Sequence, residues 1–190
     1  MRRNRVVKRP PLIIGLTVVC LLSFFSGVAL AANYLGAGYF PWTFLYWQFN
    51  GPTSDSGGSY ITPARNGMST WDSRTDIDLL EVTDGSWDIL VNVADWGATG
   101  WTGYTYICAT TGDCDNQTAW DNTYSWCSAR INTNLLFDDT QAQRQNTIMH
   151  EVGHCFSLGH RSDSTSIMLS YQTSITTPNS TDVSLINARY

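Results

Sequence analysis

His150-Glu151-Val152-Gly153-His154-Cys155-Phe156-Ser157-Leu158-Gly159-His160 contains every histidine of this 190-residue chain. Residues four apart on an α-helix lie roughly 40° apart around the axis and about 6 Å along it. His150 and His154 can therefore turn their imidazoles toward one ion from a single face. Glu151, offset by one residue, reaches over such an ion without having to ligate it, and can there take a proton from a water. If the helix ran on to His160, that ring would sit roughly 80° from His150 and about 15 Å along the axis. A third imidazole thus requires the helix to end and fold back, and Gly159 tolerates the positive φ that such a reversal needs. Three imidazoles plus a water make the open tetrahedral set of a catalytic zinc ion, which brings the water's pKa near neutrality and polarises a carbonyl. An isolated HExxH occurs by chance in unrelated helices. Here the spacing uses all three histidines and adds a third ten residues after the first, which chance rarely supplies.

Working outward, residues Asp138 to Ser157 read as the helix that carries the pattern. Asp138, Asp139 or Thr140 can cap it, and Ile148, Val152, Cys155 and Phe156 supply its apolar positions. Upstream, Tyr34 to Phe49 is aromatic and ends in the strand-like TFLYWQFN, and Gly51 to Ser59 is a loop by composition. Thr62 to Arg74 suits a helix with Trp71 on its buried face, although Gly67 weakens it. Trp87 to Val93, Tyr104 to Cys108 and Ser128 to Asn134 read as strands, and Ala109 to Ser125 as a long polar loop. Strands first and the histidine helix later predict an α+β domain.

Charge and cysteine usage place that domain. Five of eleven basic residues lie in the first nine positions, whereas from residue 32 onward six arginines face sixteen acids, a formal charge of −10. Such a surface repels phosphate backbones and excludes nucleic acid as a partner. The basic opening followed by an apolar run and Ala29-Leu30-Ala31 predicts a secretory signal over residues 1–31, with the domain over 32–190. An uncleaved leader would instead anchor the chain at a membrane surface, since Leu12 to Ala32 is about long enough to span a bilayer. Either way the domain is exported, to the extracellular side, and a monomer is expected. Beyond Cys20 in the leader, the even set Cys108, Cys114, Cys127 and Cys155 predicts two disulfides in an oxidising compartment. Three pairings exist; Cys108–Cys114 is the local choice and leaves Cys127–Cys155.

The histidine stretch is similar to the zinc signature of the metzincin metallopeptidases, HExxHxxGxxH. Ser166-Ile167-Met168 lies where that clan carries its methionine turn, eight residues past His160. Within the clan the order of elements most resembles a bacterial matrixin-type catalytic domain. The resemblance implies a zincin fold: a twisted, mostly parallel sheet with an antiparallel edge strand, and two main helices. It implies a secreted endopeptidase that hydrolyses protein or peptide through a zinc-activated water. His150, His154 and His160 would bind zinc, Glu151 would act as general base, and Met168 would floor the metal site. Gly103, Tyr104 and Thr105 would belong to the edge strand that pairs with extended peptide. Leu169, Ser170 and Tyr171 would line the pocket beside the scissile bond and favour a neutral or apolar residue there. One departure stands out. The family's glycine at the helix end is Ser157 here, a residue that adopts the required conformation only under strain.

Other features carry expectations of their own. Asp113, Asp115, Asn116 and Asp121 offer hard oxygens for a calcium ion, but they do not match an EF-hand loop and a solvated acidic loop accounts for them better. Eight tryptophans invite sugar stacking, against the expectation that most are core or structural residues. The competing functions are a zinc-stabilised adhesion module without turnover, against which Glu151 argues, and a hydrolase of wall-peptide cross-links.

Overall fold

The computed structural model describes residues 33–52, 59–136 and 138–190. The expected leader lies outside these residues, as does most of the loop expected over Gly51 to Ser59. The described chain runs β1 (Phe44–Asn50), α1 (Ile61–Arg74), β2 (Asp78–Glu81), β3 (Ile89–Ala94), β4 (Gly103–Ala109), α2 (Gln117–Asp121), β5 (Tyr124–Asn132), α3 (Gln141–Cys155) and α4 (Ser180–Asn187). It is an α+β arrangement around one five-stranded sheet in the order β2-β1-β3-β5-β4. Neighbours β2–β1, β1–β3 and β3–β5 are parallel, and β4 closes one edge antiparallel to β5. A parallel pair needs a crossover between its strands, and α1 supplies it between β1 and β2.

Strand alternation decides which side each helix covers. Leu45 and Trp47 of β1, Ile89, Val91 and Val93 of β3, and Cys127, Ala129 and Ile131 of β5 are buried. This face receives α1 and α3. The two helices approach so closely that a Cβ on Gly67 would meet Met149 Cγ at 2.8 Å. The residue that weakens α1 by propensity is thus the one that lets it pack. Trp71 fills the same junction, donating from Nε1 to Met149 O at 3.2 Å and meeting Phe156 edge-on. The Cys127–Cys155 disulfide ties β5 to the end of α3, and Cys108–Cys114 closes the turn after β4. No described helix is long and apolar enough to cross a membrane.

Several expectations shift. The strand expected over Ser128 to Asn134 begins four residues earlier, because Tyr124 and Cys127 are core residues that a polar neighbourhood concealed. The loop expected over Ala109 to Ser125 contains α2, capped by the Asn116 side chain on Ala119 N. Of the eight tryptophans only Trp47 and Trp71 are buried. On the sheet face away from α1 and α3, Trp87, Trp126, Tyr106, Arg130 and Trp96 lie in successive ring contact and form a second, partly exposed aromatic layer.

Candidate metal centre

α3 starts at a complete capping box. Thr140 Oγ1 accepts from Gln143 N, and Gln143 Oε1 accepts from Thr140 N. Fifteen residues later the helix stops at Cys155, and the chain turns at Ser157, where φ is +70°. This is the left-handed conformation that a non-glycine residue adopts only at a cost. Its supports are visible. Ser157 Oγ accepts from Arg189 Nη1 at 2.7 Å, and Ser157 O accepts from Leu35 N at 2.8 Å. The reversal expected at Gly159 is therefore made two residues earlier. Gly159 serves a different need: a Cβ there would lie 3.1 Å from the Tyr34 backbone, which crosses this turn as a short antiparallel bridge.

The turn carries His160 back over α3. Ligand atoms of His150, His154 and His160 lie within 4.8 Å of one another, and they are the group of this kind among the described residues. His150 Nδ1 sits 2.9 Å from Ile167 O, and His154 Nδ1 sits 2.6 Å from Leu158 O. A carbonyl can only accept, so each Nδ1 carries the proton and each Nε2 presents a free lone pair. His150 Nε2 then approaches His160 Nε2 at 3.2 Å, a contact that needs a proton or a cation between the two nitrogens. Burial lowers His150 to about 4 and His154 well below the usual imidazole range, and it lowers His160 as well. The rings are held neutral, the form that ligates. Oriented tautomers, convergence and neutrality together fit a divalent metal ion, and imidazole donors suit zinc, copper, nickel or iron.

Met168 is fully buried against α3, where a Cβ on Gly153 would meet its Sδ at 2.5 Å. The turn containing it hangs on Asp182 of α4. That buried carboxylate accepts from Ser166 Oγ at 2.6 Å, Ile167 N at 3.0 Å and Arg161 Nη1 at 3.0 Å. Asp182 was not foreseen. Its signal was the Asn179-x-x-Asp182 spacing, a capping box that marks α4.

Glu151 is buried beside the histidines. Burial pushes its carboxyl up to about 7, opposed by a hydrogen bond from Thr105 Oγ1 to Oε2 at 2.6 Å. Gly103 leaves it room, since a Cβ there would lie 2.7 Å from Glu151 Cγ. A cleft of about 290 Å³ opens over His150, Glu151 and His160, with Trp101 and Gly103 on one wall and Leu169, Ser170 and Tyr171 on the other. Asn146, Thr147 and Gln172 also line it, which makes this wall more polar than expected. Tyr171 is 63% exposed at the rim. β4 lies at the sheet edge, but Asp115 N and Asp113 O cover Ile107 and Ala109 from outside. Gly103 and Thr105 turn their backbone groups the same way, and no backbone partner reaches them there among the described residues. Tyr104 points to the opposite sheet face, where it bonds Asp115.

The acidic loop does not assemble. Asp113 accepts from Thr111, Asp115 from Tyr104, and Asp121 from Ala37 N, while Asn116 caps α2. Among the described residues these side chains form no group of converging metal ligands.

No protein-family model matches the chain, and no curated protein matches it in sequence. Among solved structures it is similar to a chain of one described as "GM1 bound form of the ECX AB5 holotoxin". The TM-score is 0.53 and the identity 14%, covering 83% of this chain and 86% of that one. At that identity the likeness speaks to the fold alone.

Proposed function

We propose that this chain is an exported zinc-dependent endopeptidase of the metzincin type. The observation that carries the reading is the convergence of three neutral imidazoles beside a buried carboxyl, at the floor of a cleft flanked by an unpaired strand edge. His150, His154 and His160 would hold the ion. Bound zinc supplies Lewis-acid polarisation and a nucleophile available near neutral pH. Glu151, close to the cluster yet outside it, accepts a proton from water and delivers it to the departing amine. Gly103 and Thr105 offer outward N–H and C=O groups, so an extended peptide can add to β4 as a further strand. The disulfides suit an oxidising compartment outside the cell.

The test is metal analysis of the purified protein combined with digestion of a peptide library, with and without a chelator. The reading expects one zinc per chain and cleavage that stops on chelation and returns with zinc. Stoichiometric zinc with no cleavage of any peptide would sink it.

A further inference from the structure

Thr105 belongs to the strand expected to meet substrate, yet its side chain points the other way, into the domain. Its Oγ1 lies 2.6 Å from Glu151 Oε2 and 2.9 Å from Glu151 O. Both oxygens are acceptors and a hydroxyl has one proton, so it donates to one of them at a time. It is also the protein side chain that hydrogen-bonds the Glu151 carboxyl among the described residues. Two residues earlier, Gly103 lacks the Cβ that would collide with Glu151 Cγ at 2.7 Å. Gly103 and Thr105 are successive inward positions of β4, so one strand both clears a space for the carboxyl and pins it. The backbone groups of these residues lie in the plane of the sheet and face its open edge.

We infer that Thr105 is the positioning residue of Glu151. Its hydroxyl fixes the carboxyl in the rotamer that faces the cleft, and it references that carboxyl to the same strand on which a peptide backbone would register. This inference rests on the peptidase reading for its catalytic consequence, and on geometry alone for the contact.

The experiment compares Thr105→Val, which keeps the shape and removes the hydroxyl, with Thr105→Ser, which restores it. The chain contains only two glutamates, Glu81 and Glu151. Protein carrying [δ-13C]glutamate thus gives two carboxyl resonances, assigned by Glu151→Gln. We expect the Glu151 resonance to move in Thr105→Val and to return in Thr105→Ser, in zinc-free and zinc-loaded protein alike. We expect kcat to fall 10- to 100-fold in Thr105→Val with KM and zinc content unchanged, and to recover within about threefold in Thr105→Ser, the range typical of hydrogen bonds to charged groups. An unmoved resonance, an unchanged kcat, or a loss confined to KM would overturn the assignment; so would a serine variant as slow as the valine one. A wild-type protein that cleaves nothing would refute the peptidase reading before Thr105 is touched, so the two failures are separable.

Discussion

Replacing Glu151 by glutamine should stabilise the metal-free protein at neutral pH while removing its activity. The carboxyl is buried, and burial raises it from 4.5 to about 7. A group whose folded value is raised contributes stability that is complete below the unfolded value and is lost as pH rises through the folded one. The window is therefore about pH 4.5 to 7. Above it the ionised carboxylate costs about 3 kcal/mol, taking roughly 1.4 kcal/mol per unit. Glutamine carries no such cost and can still accept from Thr105 through its amide oxygen. For a domain of this size the gain corresponds to a rise in Tm of about 6–12 °C. The assay is thermal denaturation followed by circular dichroism in chelator, with disulfides intact, at pH 4.5 and pH 8. Contributions from the histidines are common to both proteins and cancel in the difference. The variant should be more stable at pH 8 and indistinguishable at pH 4.5. Equal stability at pH 8, or the same gain at both values, would refute the reasoning. Added zinc should shrink the gain, because a cation beside the carboxylate favours its ionised form.

Four further outcomes follow from contacts around the site and from the disulfides. Arg189→Met removes donors to Gly36 O, Gly38 O and Ser157 Oγ, and should lower stability by about 2–4 kcal/mol; it should also speed chelator-driven zinc loss, because the turn that carries His160 loses its clamp. Gly103→Ala should abolish most peptide turnover with zinc retained, since the new methyl displaces the Glu151 carboxyl; retention of activity would show that the space is not needed. Cys155→Ser opens a link spanning 28 residues and should cost about 3–4 kcal/mol in denaturant titrations. Opening Cys108–Cys114, separated by six, should cost about 2 kcal/mol.

What the sequence made legible was whatever its chemistry repeats at short range. The three histidines declared themselves because helical spacing alone puts two of them on one face. Ser157 was recognisable as an awkward occupant of the helix end, and the structure gives it the left-handed φ that made it awkward. What the reading missed depends on partners far along the chain. Conformational freedom points to Gly159 as the site of the reversal, but its smallness answers to Tyr34, more than a hundred residues away. Strand position points Thr105 at the substrate, and only the packing of α3 against β4 reveals its hold on Glu151. β2 is only four residues, two leucines between two acids, too short for periodicity to separate from a loop, and parallel pairing with β1 makes it a strand. Hydrophobicity marks most tryptophans as core or structural; Trp47 and Trp71 fill the core, and Trp87, Trp96 and Trp126 cover the second face of the sheet.

Whether Glu151 makes a hydrolase of the proposed three-histidine metal site is measured directly by the hydrolysis rate of Glu151→Gln at matched zinc content. One zinc per chain is expected in both proteins, with a casein-cleavage rate at least about 10³-fold below wild type in the variant, as when a general base is removed. A zinc-loaded variant that cleaves casein at the wild-type rate would contradict that role of Glu151.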